Sequence, residues 1–190
     1  MVTWVARAAE ALHPSRTIAV VGFQGERVRL ALTGLCDAFV VQAEQRGTGH
    51  AVLQAAGALK GSAGALLIVN GDLPSLKPAT LRALVALHRK SKAALSLVTT
   101  NLDDPSGYGR IVRDAKGRVT RIVEHRDAPA AERRIAEINC GIYCADPSVL
   151  MPLLKKLRPN NAQGEYYLTD AVHALIATGA LGLTLGNSVP

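Results

Sequence analysis

The sequence predicts an α/β protein with a mostly parallel sheet, and two patterns support this fold class. In the first half of the chain, short apolar runs rich in β-branched residues alternate with segments of helical periodicity. Strict alternation of this kind is typical of parallel strands joined by right-handed helical crossovers. The second half departs from it, because two strand-like segments flank a glycine-bearing turn, as in a β-hairpin.

The predicted elements follow one another without a linker, an internal repeat or a low-complexity segment. Strand patterns occur at residues 17–22, 37–42, 65–69, 93–99, 137–143 and 181–185, and in the hairpin at 107–113 and 119–124. Helical patterns occur at residues 1–12, 25–32, 48–60, 147–157 and 167–178, and another begins at Pro78. We therefore expect a single domain over residues 1–190, with a substrate-facing hairpin in its second half.

Composition and charge exclude several classes of protein. Hydrophobic residues make up 48% of the chain and aromatic residues only 4%, so the core is built from Ala, Val, Leu and Ile. A net charge of +7 suits anionic ligands such as phosphates. The basic residues are scattered and not interleaved with aromatics, so nucleic-acid binding is not expected. No apolar stretch reaches the roughly 18 residues needed to cross a membrane.

The cysteines predict reduced thiols. There are three of them, Cys36, Cys140 and Cys144, and none forms a C-x-x-C pair. The chain also lacks the pattern of a signal peptide. We therefore expect a cytoplasmic location and no zinc site.

The strand at 65–69 ends in a possible metal or ribose ligand. The strand is followed by Asn70-Gly71, and the next residue is the carboxylate Asp72. In open α/β sheets, ligands bind just beyond the carboxyl ends of such strands. The alternative is that Asp72 caps the turn before the next helix, because Asp is a common turn residue.

The strand at 37–42 leads into a second candidate segment. Gln42 ends the strand, and the following loop offers Gly47-Thr48-Gly49 at the start of a helix. Glycines let a planar ring approach the backbone, and an amide side chain can pair with its polar edge. The alternative is that Thr48 simply caps the helix, with His50 a packing or capping residue.

Polar residues around the hairpin form a third candidate. Gly107-Tyr108-Gly109 predicts a backbone that approaches a ligand closely or, alternatively, a strained turn. Glu124 ends the second hairpin strand and Asn139 lies in the next strand. A carboxylate and an amide on neighbouring strands suit hydrogen bonds to sugar hydroxyls, although single residues of these types are more often surface groups.

Taken together, these segments resemble one family. The motifs, in chain order, are QAEQRGTGHA (42–51), NGDLP (70–74), GYGRIV (107–112), IVEHRDA (122–128), EINCGIY (137–143) and NAQGEYYLTD (161–170). They are similar to those of the uridyltransferase domain of the bacterial bifunctional N-acetylglucosamine-1-phosphate uridyltransferases/glucosamine-1-phosphate acetyltransferases. The resemblance covers essentially the whole chain.

The resemblance implies a Rossmann-like nucleotidyltransferase fold with a mostly parallel sheet and an inserted hairpin. It implies transfer of UMP from UTP to N-acetylglucosamine 1-phosphate, which gives UDP-N-acetylglucosamine and pyrophosphate for cell-wall synthesis, with Mg²⁺ as cofactor. The site residues that it implies are Gln42, Gly47 and Thr48 for the nucleotide, Asp72 for the metal, and Gly109, Glu124 and Asn139 for the amino sugar.

The sequence also departs from the family. The family's first strand, its G-x-G-T-R-M loop and the lysine that follows do not occur in these 190 residues, so no catalytic residue is identified. The asparagine that is the second magnesium ligand and the β-helix acetyltransferase domain do not occur either. Cys140 stands where threonine is usual. We therefore expect two unpaired interior strand edges and little or no turnover by this chain.

Two alternatives remain open for the function. One is a different sugar-1-phosphate nucleotidyltransferase of the same fold, which nucleotide and sugar specificity would separate. The other is a catalytically inactive UDP-sugar-binding remnant, which would be stabilised by UDP-N-acetylglucosamine without turning it over. The sequence does not predict an oligomeric state.

Overall fold

The computed structural model describes residues 1–61, 64–178 and 181–186. In this part of the chain the helices are α1 (Val2–Glu10), α2 (Gly25–Ala31), α3 (Thr48–Gln54), α4 (Pro78–Ser91), α5 (Ala130–Arg133), α6 (Pro147–Leu154) and α7 (Leu168–Ala177). The strands are β1 (Ile18–Val21), β2 (Ala38–Val41), β3 (Leu66–Val69), β4 (Leu95–Asn101), β5 (Arg110–Arg113), β6 (Val119–Val123), β7 (Glu137–Ala145) and β8 (Leu181–Gly186).

The strands form two sheets. β1 and β2 pair in parallel, and the other six strands form a second sheet around the long strand β7. β4 lies along one side of β7, while β3 and β5 share its other side, β3 beside its C-terminal half and β5 beside its N-terminal half. β8 is parallel to β4, and β6 completes the predicted antiparallel hairpin with β5.

The α/β class expected from the sequence is confirmed, with one difference in how the strands pair. β3 and β4 both pair antiparallel with β7, so they share one direction, as strict alternation predicts. They are not neighbours, however, because β7 lies between them. Alternation along the chain fixes the direction of successive strands, but it does not reveal a later strand that inserts between two earlier ones.

Strand β3 is only partly enclosed, although an unbroken apolar run such as residues 65–69 is typical of a strand buried on both faces. All four of its residues are half-buried rather than buried on both faces. Within the described residues, β3 pairs only with β7, and β1 pairs only with β2. One edge of β3 and one edge of β1 therefore face no strand partner in this part of the chain.

Helices cover both faces of the larger sheet. On one face, α3, α6 and α7 pack on a core that includes Leu95, Leu97 and Tyr143. On the other face, α1 and α4 pack on Val98 and on neighbouring residues of β7. Helix α4 packs through one stripe, whose buried residues are Leu81, Leu84 and His88. In the described residues, no helix combines the length and apolar character that a membrane span needs.

A buried histidine joins α4 to the sheet. His88 is 6% exposed, and its Nδ1 lies 3.1 Å from the Ser96 hydroxyl on β4. Burial lowers the pKa of His88 below the ordinary value of 6.5, while the nearby charge of Asp146 opposes the shift. Below about pH 6.5 the unfolded chain therefore binds more protons at this residue than the folded protein does.

We expect the free energy of unfolding to fall as the pH drops below the ordinary histidine pKa, and His88→Gln to remove part of this fall. Glutamine can still bond to Ser96 but does not titrate. Urea unfolding at pH 8 and at pH 5.5 measures the difference for wild type, His88→Gln and the exposed-site control His13→Asn. Equal pH dependence in all three proteins would contradict the role of His88.

Candidate functional site

Of the seven residues singled out in the sequence, four lie in loops that follow strands, whereas Thr48 begins α3, Gly109 immediately precedes β5 and Asn139 lies near the start of β7. They form two clusters, which the segment 161–170 joins, and one separate carboxylate. One cluster lies at the end of β2, and the other lies where β5, β6 and β7 meet. The carboxylate, Asp72, follows β3.

The loop at the end of β2 is packed against the segment 161–170. Gly47 has φ +101°, and a Cβ there would lie 2.7 Å from the Tyr166 carbonyl oxygen and 2.9 Å from the Tyr166 nitrogen. The Gly49 N–H donates to the Tyr166 carbonyl at 2.8 Å, and the Tyr166 N–H donates to the Arg46 carbonyl at 2.8 Å. Glycine is required at 47 because both the conformation and the contact exclude a side chain.

Gln42 is 9% exposed, and its amide nitrogen is fully engaged. Nε2 donates to the Gly47 carbonyl at 3.1 Å and lies 3.0 Å from His50 Nδ1. The other terminal atom, Oε1, forms no hydrogen bond with the described residues, and it is accessible to solvent. The free group that this side chain offers to a ligand is therefore a hydrogen-bond acceptor.

Thr48 caps a helix, but not its own. The N-cap of α3 is Gly47, without a side-chain capping bond, whereas the Thr48 hydroxyl accepts from the Leu168 N–H of α7 at 3.0 Å. The alternative that Thr48 caps its own helix is therefore wrong, because its hydroxyl instead accepts from the first N–H of α7. The hydroxyl hydrogen remains available, because an accepted bond uses only a lone pair.

Gly109, Glu124 and Asn139 come together beside the hairpin. The Asn139 N–H donates to the Gly109 carbonyl at 2.8 Å. A Cβ on Gly109 would lie 3.2 Å from Glu124 Oε2, so the carboxylate lies over this glycine. Asn139 Nδ2 donates to the Tyr143 hydroxyl at 2.5 Å, and Oδ1 accepts from the Gly141 N–H at 3.2 Å. One N–H and one lone pair of that amide remain for a ligand.

Burial raises the pKa of Glu124, and the nearby carboxylates Asp127 and Asp170 raise it further. The Thr169 hydroxyl donates to Glu124 Oε1 at 3.0 Å and favours the charged form. Glu124 is thus a desolvated carboxylate with one oxygen held and the other beside Gly109. A ligand hydroxyl that donates to such a carboxylate forms a strong, stabilising hydrogen bond.

Asp72 is exposed and stands apart from both clusters. It forms no hydrogen bond or ion pair with the described residues, and α4 has Lys77 as its N-cap, so the capping alternative is wrong. The preceding Gly71 packs against the first turn of α1, where a Cβ would lie 3.4 Å from Val2 Cγ2. In the described residues, no group of three or more His, Cys, Asp or Glu side chains could hold a metal.

Two adjacent residues of segment 161–170, Leu168 and Thr169, connect the two clusters. The Leu168 N–H donates to Thr48, and the adjacent Thr169 hydroxyl donates to Glu124. Thr169 could not be assigned from sequence, because only the fold shows that it faces a strand end 45 residues away. The indication that the sequence did offer was the large number of polar side chains in this segment.

Arg110 is a second residue whose part sequence reasoning missed. It is 1% exposed, and its guanidinium donates to the carbonyl oxygens of Tyr108 and Arg133 and contacts His125 Nδ1 at 3.2 Å. It therefore ties the loop that bears Gly109 to the segment that follows β6. The glycine-flanked motif indicated this position, but an arginine beginning a strand usually points to solvent.

Comparison with known proteins gives consistent matches. The family model described as "Nucleotidyl transferase" matches residues 27–187. Similar proteins include "Bifunctional protein GlmU" of Geobacter metallireducens, 48% identical over 173 residues, which are 90% of this chain and 36% of that protein. The protein of the same name from Anaeromyxobacter sp. strain K is 48% identical over 190 residues, covering 98% of this chain and 38% of that protein.

This chain therefore spans well under half the length of the curated relatives that it matches. A solved structure, "The Crystal Structure of UDP-glucose pyrophosphorylase complexed with UDP-glucose", superposes with a TM-score of 0.63 at 17% identity. The superposition covers 93% of this chain and 75% of the other. At that identity the likeness supports the fold alone.

Proposed function

Because the chain belongs to the nucleotidyl transferase family, we propose that it forms the uracil- and sugar-binding part of a sugar-1-phosphate uridyltransferase site. The reaction is transfer of UMP from UTP to N-acetylglucosamine 1-phosphate, with release of pyrophosphate and formation of UDP-N-acetylglucosamine. The similarity to two proteins called "Bifunctional protein GlmU" supports this choice within the family.

The observation that carries the proposal is the junction made by Leu168 and Thr169. One residue bonds to the loop that contains Gly47 and Thr48, and the next bonds to Glu124. The groups proposed to bind the base and those proposed to bind the sugar are thereby neighbours. A nucleotide sugar has this arrangement of parts, with a planar base at one end and a hydroxylated ring at the other.

The nucleotide end depends on Gln42 and on the backbone near Gly47. The Gln42 carbonyl oxygen accepts the imide N–H of uracil, while the close contact of Gly47 with the Tyr166 backbone holds the loop in place beside the ring. Thr48, with its hydroxyl hydrogen free, lies close to the sugar. Glu124, Asn139 and the Gly109 backbone bind the hydroxyl and amide groups of the amino sugar.

The donor set at Asp72 fits Mg²⁺. Mg²⁺ is often bound through one or two carboxylates together with substrate phosphates and water, so Asp72, exposed and without a partner among the described residues, would supply one of its ligands. When bound, the ion supplies charge neutralisation at the phosphates. The first turn of α1, beside Gly71, adds the positive end of a helix dipole to the same region.

The reaction depends mainly on how the two reactants are positioned. An oxygen of the sugar phosphate attacks the α-phosphorus of UTP in line with the departing pyrophosphate, so two anions must be held in one geometry. The residues described here contribute by fixing the two ends of the reacting pair.

Three free cysteines, two of them with a pKa raised by burial to about 11, are compatible with the cytoplasmic location that we propose.

A ligand panel tests the function. Thermal melts with UDP-N-acetylglucosamine, UDP-glucose, dTDP-glucose and CDP measure stabilisation by mass action. We expect the largest rise in Tm with UDP-N-acetylglucosamine. A larger rise with UDP-glucose or dTDP-glucose would instead favour another sugar-1-phosphate nucleotidyltransferase, and no rise with any nucleotide would refute the proposal.

Replacement of Glu124 should have opposite effects on stability and on sugar binding. Glu124→Gln removes a desolvated charge that Asp127 and Asp170 repel, so we expect a higher Tm at pH 8 for the free protein. It also removes a strong acceptor, so the affinity for UDP-N-acetylglucosamine should fall roughly tenfold. The affinity for UDP should not change.

The control for this prediction is Asp127→Asn, which removes one of the charges that act on Glu124 but leaves Glu124 itself in place, and whose amide oxygen can still accept from the Ala162 N–H. Calorimetric titration of wild type and both variants with the two ligands separates the effects. An equal loss of UDP and UDP-N-acetylglucosamine affinity in Glu124→Gln would show that Glu124 does not bind the sugar.

A further inference from the structure

We propose that His50 is a positioning residue that sets the preference of the site for uracil over cytosine, acting through the side-chain amide of Gln42. The inference rests on the proposed function, because it assigns the base specificity of the same site. It concerns a residue that need not touch the ligand.

The orientation of the Gln42 amide follows from what its neighbours can accept. A backbone carbonyl only accepts hydrogen bonds, so the Gln42 atom that lies 3.1 Å from the Gly47 oxygen must be the NH₂ group. The same nitrogen lies 3.0 Å from His50 Nδ1, and that ring nitrogen must therefore accept the second hydrogen. Both hydrogens are then used, and Oε1 is left for a ligand.

His50 supplies the second of these two bonds and removes the remaining freedom of the amide. A single bond to Gly47 allows the group to swing about the N–H···O axis, whereas two acceptors fix its plane. His50 is itself held in place. Its ring lies 6.3 Å from that of Tyr166, between centroids, and its Nε2 lies 2.9 Å from the amide nitrogen of the exposed Gln54 side chain. With Nδ1 accepting from Gln42, Nε2 carries the ring proton, so the Gln54 amide must turn its oxygen towards the ring to accept it.

A fixed carbonyl oxygen distinguishes the two pyrimidines. Uracil presents a hydrogen-bond donor at N3, flanked by two carbonyl acceptors, and N3–H pairs with Gln42 Oε1. Cytosine presents a lone pair at N3, which would face that oxygen without a proton between them. A site built around one buried hydrogen bond rejects a ligand that leaves it unmade.

Three variants at position 50 separate positioning from packing. His50→Ala removes the acceptor, His50→Gln moves the polar group outward towards the place of Nε2, and His50→Asn keeps an acceptor near the place of Nδ1. His13→Asn is the matched control, since His13 precedes β1 and lies at the end of the β1–β2 sheet away from Gln42.

The decisive readout is the ratio of UDP affinity to CDP affinity, measured by calorimetry on the 190-residue protein. We expect the ratio to fall about tenfold in His50→Ala and His50→Gln, to stay within about threefold of wild type in His50→Asn, and to be unchanged in His13→Asn. A residue that only packs would change stability but leave this ratio unaltered.

A second readout does not depend on any ligand. In the free protein, ¹⁵N-edited NMR of the His50 ring should show the proton on Nε2 and none on Nδ1. A proton on Nδ1, or an unchanged UDP-to-CDP ratio in His50→Ala, overturns the inference while leaving the proposed function standing. A wild-type protein that shows no preference for UDP overturns the proposed function and this inference together.

Discussion

Arg110→Met is expected to lower the free energy of unfolding by about 3 kcal/mol, which is at the upper end for a single substitution. The guanidinium is 1% exposed and has backbone carbonyl oxygens as its main acceptors. Its removal leaves the carbonyls of Tyr108 and Arg133 without that donor. Lysine at 110 should rescue little, because an ammonium cannot reproduce the planar set of donors.

The matched control is Arg113→Met on the same strand. Arg113 makes a two-point contact with Glu137, at 2.7 Å and 2.6 Å, but its side chain is 31% exposed. We expect that variant to lose no more than about 1 kcal/mol. Urea unfolding of both proteins measures the difference, and equal losses would show that burial of Arg110 has no special weight.

Gly47→Ala is expected to cost at least about 3 kcal/mol and to abolish nucleotide binding. Its φ of +101° is unfavourable for alanine, and the new Cβ would lie 2.7 Å from a backbone oxygen that cannot move alone. The loop would have to separate from Tyr166. That separation would also disturb the adjacent bond between Thr48 and Leu168.

Gly34→Ala isolates the conformational part of this effect. Gly34 has φ +78°, and nothing lies within 4 Å of a Cβ built there, so only backbone strain of roughly 1 kcal/mol is expected. The comparison uses Tm and UDP affinity for both variants. If Gly47→Ala retained full UDP affinity, the close approach of a base to this loop would be excluded.

The sequence predicted the elements well wherever a local pattern determines them. Pro78 begins α4 as expected, and the hairpin of β5 and β6 follows from its alternating residues and glycine turn. The end of α3 was placed too late, at residue 60 instead of Gln54, because the apolar sequence beyond it continues without a breaking residue until Gly57. Local propensity does not show where tertiary packing stops a helix.

The sequence predicted which residues belong to the candidate site, but not how they are arranged in space. Gln42, Asp72 and Glu124 were indicated because each follows or ends a strand. The partners that orient them, among them His50 and Thr169, come from helices, and nothing local indicates which strand end a helical side chain faces. The position of β7 between β3 and β4 also depends on contacts between distant parts of the chain, which the local sequence does not show.

The central claim is that one UDP-sugar spans both clusters of this site. It is tested most directly by NMR titration of the ¹⁵N-labelled chain with UDP-N-acetylglucosamine, following the backbone amides of Gly47, Leu168, Gly109 and Asn139. The account predicts that all four shift together and saturate at one ligand concentration, whereas UDP alone shifts only the first two. Shifts confined to other surfaces, or no shifts at saturating ligand, would contradict it.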